Sequence, residues 1–238
     1  MIGVTQELIE CCAISNKTKE KNYLFPLYLY PDGSTLGFDS ERRPNLSPSF
    51  LKELGAKLDL PLKGEFSLPR GVSPDAIFAY AYAVFHAPSF RERYAPFLKT
   101  DFPRLPLPQN FSQFETLATS GEKLIALHLL DETAAPILTK ARHKFEGIGD
   151  RVVGQAQYSQ PQQRACINAD QWFKNVPESV WEFRVGGYAP AQKWLKDRKG
   201  RALSFDEISH YAKVLIALAE TEKLMKGIDE FLEEWPLW

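Results

Sequence analysis

The chain has 238 residues, of which 44% are hydrophobic and 25% are charged, and its formal net charge is −1. These values exclude a disordered tail and are typical of a globular protein with a buried core. Because a free-standing nucleic-acid-binding protein is usually basic, the near-neutral charge argues against that class unless the chain is one part of a larger protein.

The three cysteines, Cys11, Cys12 and Cys166, form neither a disulfide framework nor a metal-binding pattern. No C-x-x-C pair occurs, and adjacent cysteines rarely bridge each other. The N-terminal residues lack a basic segment followed by a long apolar run, and no stretch is apolar enough to cross a membrane. We therefore expect a cytoplasmic protein that holds no metal and is not attached to a membrane.

In the N-terminal half, the apolar residues 23–30 end at a Pro-Asp-Gly turn and predict a buried strand, in which Pro26 indicates an edge position or a bulge. Two Ser-Pro pairs, each an N-cap residue followed by a proline suited to the first helical position, predict helices at 48–56 and 74–86. A further helical piece is expected at 89–97. Three prolines within 101–108 predict an extended arm, because proline fixes φ and removes a hydrogen-bond donor.

In the C-terminal half, apolar residues at helical spacing predict a helix over 111–130. The segments 151–158 and 163–169 predict two strands joined by a Ser-Gln-Pro turn, and 180–185 predicts a third strand that ends at a Gly-Gly pair. A Ser-x-x-Glu capping box then begins a long helix over 204–232.

Together these elements predict an α+β fold of mixed helices with a small antiparallel sheet. We expect residues 1–238 to form a single domain, within which 1–108 and 109–238 are candidate lobes.

Catalytic and cofactor-binding motifs are not found in the sequence. It has no glycine-rich phosphate-binding loop, no H-E-x-x-H and no G-x-S-x-G. It also lacks the N-P-P-Y-like loop that an amino-methyltransferase needs for its flipped base. We therefore predict that the chain uses no cofactor and has no catalytic residues of its own.

Basic residues gather after the glycine pair at 186–187, and they are candidate contacts to a DNA backbone because a glycine turn allows close approach. These residues are Lys193, Lys196, Arg198, Lys199 and Arg201. The alternative is a turn, a short helix and a solvated basic loop. Lys17 and Lys19, in a polar stretch near the N-terminus, are further candidates for phosphate contacts, against the alternative of a solvated loop.

The predicted hairpin over 151–169 carries amide and guanidinium side chains that suit base-edge readout in a groove. The candidate base-reading residues are Gln155, Gln157, Gln162 and Arg164. The alternative is that they form the solvent-facing side of a half-buried sheet.

Three long blocks of the sequence resemble the C-terminal specificity domain of Type ISP restriction-modification enzymes and of related helicase–DNA methyltransferase proteins. They are SNKTKEKNYLFPLYLYP at 15–31, the block from PDAIFAYAY to RLPLP at 74–108, and the block from VWEFRVGGY to LMKGID at 180–229. They occur in order along the chain and leave mainly 32–70 and 110–175 unmatched.

In that family, one polypeptide carries a nuclease, a translocating ATPase, an adenine N6-methyltransferase and a last domain that recognises an asymmetric DNA target. The resemblance implies a non-catalytic DNA-recognition role here. Its expected partners are double-stranded DNA and the methyltransferase and helicase–nuclease domains of the same system. An expressed fragment, a truncated gene and a split subunit all remain open. The alternative function is a scaffold that clamps DNA against the methyltransferase without reading bases.

Overall fold

The structure is a computed structural model that describes residues 3–6, 23–30, 42–140 and 143–234. The chain divides into two compact units. The first consists mainly of Val4–Glu122 together with the end of the last helix from Ile228, and the second consists mainly of Lys123–Gly227. The expected single domain, with candidate lobes that meet near residue 108, remains a prediction.

Helices form most of the first unit, and prolines begin three of them. These helices are α1 (Pro48–Leu58), α2 (Pro74–His86) and α3 (Pro88–Arg93), followed by α4 (Phe111–Leu129), whose last turns belong to the second unit. The N-cap hydroxyl of Ser73 accepts a hydrogen bond from the amide of Ala76 at 3.0 Å. The helices predicted at 48–56, 74–86 and 111–130 are therefore present.

Two small hairpins complete the first unit. They are β1 (Tyr28–Leu29) with β2 (Arg43–Pro44), and β3 (Leu62–Lys63) with β4 (Leu68–Pro69). The prediction of a buried strand over 23–30 is wrong, because only two residues of it pair and Tyr23 and Phe25 are 67% and 68% exposed. Pro26, which follows Phe25, cannot donate a ladder hydrogen bond.

Close packing of α2 on α4 holds the first unit together. A Cβ atom added at Gly121 of α4 would lie 1.8 Å from the carbonyl oxygen of Ala79 in α2, so only glycine fits at this crossing. The hydroxyl of the buried Tyr80 donates to the carbonyl of Pro106 at 2.8 Å. This bond fixes the proline-rich arm at 101–108, which is extended as predicted.

The second unit contains a four-stranded antiparallel sheet in the order β5-β8-β7-β6. Its strands are β5 (Phe145–Gly147), β6 (Gln157–Ser159), β7 (Arg164–Cys166) and β8 (Gln171–Phe173). The helices in this part of the chain are α5 (Ala135–Leu138), α6 (Glu178–Glu182), α7 (Pro190–Lys196) and α8 (Phe205–Glu234). The α+β class and the small antiparallel sheet are confirmed.

One predicted strand is a helix in the structure. The segment 180–185 was expected to be extended, but α6 covers its first three residues. Pro177 begins this helix as its N-cap, and the neighbouring side chains of Val180 and Trp181 are both buried. A five-residue helix that buries adjacent side chains shows no 3.6-residue period, so its apolar run resembles a strand.

The core of the second unit lies between one face of the sheet and helices α6, α7 and α8. It includes Phe173 of β8, Trp181 of α6, Leu195 of α7 and Tyr211 of α8. The hydroxyl of Tyr211 donates to the carbonyl of Ala191 at 2.9 Å, so this buried polar atom is satisfied. Because one face of the sheet is committed to the core, the opposite face is available for contacts with another molecule.

Candidate nucleic-acid interface

Strand register assigns each side chain of the sheet to one of its two faces. Phe145, Phe173, Ala165 and Tyr158 form one row across the four strands and pack in or against the core. Side chains alternate along a strand, so the neighbouring residues point to the other side. We call this side the outer sheet face and define it by Glu146, Gln157, Ser159, Arg164, Cys166 and Trp172.

A stacked arginine lies near the middle of the outer sheet face. The guanidinium carbon of Arg164 in β7 is 4.0 Å from the centre of the Trp172 ring in β8. Its Nη1 donates to Oε1 of Gln162 at 3.1 Å. A cation–π contact and a hydrogen bond together restrict the orientation of the planar guanidinium. The result is an oriented group of N–H donors with one donor engaged by Gln162.

An ion pair lies beside the same tryptophan. The ammonium of Lys174, two residues beyond Trp172, binds Oε1 of Glu146 in β5. This hydrogen bond lowers the pKa of Glu146 despite an opposing effect of desolvation, and the charges of Lys174 and Arg164 lower it further. The carboxylate is therefore ionised at neutral pH, and Arg164 is near enough to stabilise its charge.

The four predicted base-reading residues do not occupy equivalent positions. Gln157 and Arg164 lie on the outer sheet face, and Gln162 lies in the turn between β6 and β7, where it holds Arg164. Gln155 is exposed on the bend before β6. Their role in reading bases remains a prediction.

Sequence reasoning missed two residues of the outer sheet face, Glu146 and Trp172, and Lys174 beside them. The predicted hairpin ended at residue 169, and no strand was expected at 145–147 or 171–173. Adjacent aromatic residues are typical of strands, so the pair Trp172 and Phe173 is a signal that could have identified β8.

The basic cluster after the glycine pair is on α7 and the turn that follows it, and most of its cations already have partners. Lys193 pairs with Asp197 at 2.6 Å, and Lys196 donates to Gln192 at 3.3 Å. The Arg198 guanidinium stacks on Trp194 at 3.6 Å from the ring centre. These side chains therefore contribute to local structure, and a phosphate would have to compete with existing contacts.

Arg198 and Arg201 both bind Glu207, the acidic residue of the capping box. Nε of Arg198 lies 3.4 Å from Oε1 of Glu207, and the nearest contact of Arg201 to that oxygen is 2.5 Å. The Glu207 amide donates to the Ser204 hydroxyl at 3.1 Å, and the Ser204 amide donates back to the carboxylate at 3.0 Å. The predicted capping box is therefore confirmed and is reinforced by both arginines.

Lys199 differs from the other four candidates. It is exposed, and its ammonium has no hydrogen-bond or ion-pair partner among the residues that the structure describes. It precedes Gly200, whose φ of +80° favours glycine. Lys199 is thus the candidate cation best placed to bind a phosphate. Lys17 and Lys19 lie outside the described residues.

Backbone hydrogen bonds connect the sheet to the basic turn. The amide of Val153 donates to the carbonyl of Arg201 at 3.0 Å, and the amide of Gly200 donates to the carbonyl of Val153 at 2.7 Å. One residue further on, Gly154 donates to the carbonyl of Ile167 just beyond β7, at 2.8 Å. The segment 151–154 therefore fixes the position of the basic turn relative to β7.

No cluster of His, Cys, Asp and Glu that could hold a metal ion occurs among the described residues. None of the helices in that part of the chain is long and apolar enough to span a bilayer.

Comparison with known proteins identifies the family. The family model of the Type ISP C-terminal specificity domain matches residues 2–227, nearly the whole chain. The chain belongs to this family. No curated protein matches the sequence of this specificity domain.

Two solved structures share the fold of the specificity domain. One, described as the DrdV–DNA complex, aligns with 89% of this chain and 21% of its own, with a TM-score of 0.58 and 20% identity. The other is the ATP-dependent Type ISP restriction-modification enzyme LlaBIII bound to DNA. It aligns with 90% of this chain and 14% of its own, with a TM-score of 0.56 and 17% identity. The specificity domain thus corresponds to about a fifth or less of the length of these chains.

Proposed function

We propose that this specificity domain recognises a DNA target sequence as one part of a larger restriction-modification enzyme. The observation that carries the proposal is the oriented guanidinium of Arg164, stacked on Trp172 at 4.0 Å on the outer sheet face. Arginine is the side chain most often used to read guanine in the major groove, and strands of β-sheets are among the elements that contact DNA grooves. Family membership and the DNA-bound state of the two structural neighbours support the same role.

The chemistry of the enzyme would then be carried out elsewhere. We propose that adenine N6-methylation, ATP-driven translocation and DNA cleavage are functions of other domains of the same system, with which this chain associates. The small share of each neighbour's length that the chain covers, 21% and 14%, supports this division of labour.

Phosphate contacts would be few in this arrangement. Among the five basic residues of the cluster after the glycine pair, Lys199 is the one available without breaking an existing contact, whereas Arg198 and Arg201 also hold Glu207. Because each neutralised phosphate releases counterions, a small number of contacts predicts weak, modestly salt-dependent binding to random DNA. We propose that the sequence preference comes from the outer sheet face.

A second candidate function is a clamp that holds DNA without reading its bases. The net charge of −1 is consistent with such a clamp. The ion pair of Lys174 with Glu146 would also be expected on a sheet face that contacts only solvent. The two candidates differ in a measurable quantity, because a clamp binds all duplexes of one length with equal affinity.

The test is selection of duplexes from a randomised pool by the 238-residue chain, followed by affinity measurement on the selected and random sequences. Enrichment of a consensus by the wild-type chain, and its weakening in Arg164→Ala, would support recognition. Arg184→Ala is the matched control, because the Arg184 side chain is 62% exposed and makes a long ion pair of 3.9 Å with Glu182. Equal binding to every duplex would refute recognition and favour the clamp.

A further inference from the structure

The outer sheet face places hydrogen-bond donors and an acceptor side by side. Glu146 in β5 is the cross-strand partner of Trp172 in β8. Arg164 lies in β7 on the other side of β8, two residues before Cys166, which is the partner of Trp172 in that strand. Adjacent strands are about 4.8 Å apart, so the two backbones are roughly 10 Å apart and long side chains can converge above the indole. The Arg164 guanidinium carbon is 4.0 Å from the centre of the Trp172 ring, and Trp172 is the cross-strand partner of Glu146, so both groups border the same indole.

Both groups retain hydrogen-bonding capacity toward solvent. A guanidinium has five N–H donors, and Gln162 accepts from one of them. A carboxylate accepts at about four lone-pair positions, and Lys174 binds one of its oxygens. The Lys174 and Glu146 side chains are 35% and 38% exposed, so the pair is accessible from the outer side of the sheet.

This order of donors and acceptor is complementary to only one kind of base pair. In the major groove, guanine presents two acceptors, N7 and O6, and its cytosine presents the N4 amino donor. An A·T pair instead alternates acceptor, donor and acceptor, so a two-donor fork would meet the adenine N6 amino group. A guanidinium fork beside a carboxylate therefore fits a G·C pair and conflicts with an A·T pair.

We propose that Arg164 and Glu146 together read one G·C pair of the target. Arg164 donates to N7 and O6 of the guanine, and Glu146 accepts from the N4 amino group of the partner cytosine. Trp172 and Lys174 act as positioning residues, the first by stacking under the guanidinium and the second by binding the carboxylate. This inference rests on the proposed function, since it specifies what the outer sheet face recognises.

The experiment removes single groups from the DNA. In the consensus duplex selected by the wild-type chain, each guanine is replaced in turn by 7-deazaguanine, and each cytosine by 2-pyrimidinone, which lacks the N4 amino group. We expect one guanine and its own partner cytosine to be sensitive, each losing roughly 5- to 150-fold in affinity, the equivalent of one base contact. These substitutions leave the protein unchanged, so misfolding of a variant cannot affect them.

Variants then assign the two contacts. Arg164→Ala should abolish the sensitivity to 7-deazaguanine at that pair, and Glu146→Ala should abolish the sensitivity to 2-pyrimidinone. Lys144→Ala, which removes an exposed cation just before β5, should leave both sensitivities in place. The inference is overturned if no guanine and its partner cytosine are both sensitive, or if their sensitivities persist in both variants. Either result leaves sequence recognition intact. Failure of the wild-type chain to select any consensus refutes the proposed function itself.

Discussion

The guanidinium of Arg201 donates two hydrogen bonds to the carboxylate of Glu207, from Nη2 to Oε1 at 2.5 Å and from Nη1 to Oε2 at 3.2 Å. Bidentate arginine–carboxylate pairs are stronger and more directional than single contacts. Because Glu207 also closes the capping box with Ser204, this pair anchors the N-terminus of the 30-residue helix α8. A side chain expected to contact DNA therefore has a structural task.

Lys199 and Arg201 should fail differently when each is replaced by alanine. Lys199→Ala should leave the melting temperature unchanged, weaken binding to selected and random duplexes alike, and reduce the salt slope by about one unit. Arg201→Ala should lower the melting temperature, because it removes the bidentate contact to Glu207. Thermal unfolding and fluorescence anisotropy at several salt concentrations measure both effects. A drop in melting temperature for Lys199→Ala alone would contradict this division.

Stability should depend on the ionisation of Glu207. Hydrogen bonds from Arg201 and from the Ser204 amide lower the pKa of Glu207 from its ordinary 4.5 to about 2. A carboxyl group whose pKa is depressed by folding stabilises the native state above its unfolded pKa. This contribution is therefore complete above about pH 4.5 and is lost as the pH falls toward 2.

Glu207→Gln tests this dependence. The variant should be less stable than the wild-type chain at pH 7, and the difference should shrink between pH 4.5 and 2. Urea denaturation at a series of pH values provides the free energies of unfolding. Glu178→Gln is a control, because that exposed carboxylate lies outside the capping box. If the difference in free energy of unfolding stayed constant down to pH 2, the ionised form of Glu207 would not be what stabilises the native state.

Two glycines in long helices should respond in opposite directions to alanine. Gly121→Ala should lower the free energy of unfolding by about 1–3 kcal/mol, because its Cβ would overlap the backbone of Ala79 at the α2–α4 crossing. Gly227→Ala in α8 meets no atom within 4 Å and should raise it by about 0.5–1 kcal/mol through helix propensity. Chemical denaturation of both variants measures the difference. If Gly121→Ala left the free energy of unfolding unchanged, the two helices would have to separate at little cost.

The chain should not bind S-adenosylmethionine or ATP by itself. Its sequence has no glycine-rich phosphate-binding loop and no N-P-P-Y-like loop, so neither ligand has a recognisable site. Isothermal titration calorimetry of each ligand into the 238-residue chain measures this directly. Saturable binding of either one would show that part of the catalytic machinery is present here.

Local signals in the sequence determined much of the helical structure. The N-cap hydroxyl of Ser73, the capping box of Ser204 with Glu207, and the prolines of the 101–108 arm act within a few residues of their own position. Their effects on the backbone are independent of distant parts of the chain, so they were predictable from composition and spacing. The absence of recognisable catalytic motifs and the three blocks that resemble the Type ISP specificity domain were likewise evident from the sequence alone.

Tertiary structure alone decided the outer sheet face and the partners of the basic residues. Strands of three residues are too short to show an alternating pattern, and the order β5-β8-β7-β6 pairs Glu146 with Trp172, 26 positions further along the chain. The stacking of Arg164 on Trp172 and the binding of Arg201 to Glu207 depend on such pairings and on side-chain packing. The sequence shows which side chains carry charge, but only the folded chain determines which of those charges are already neutralised and which remain free to meet DNA.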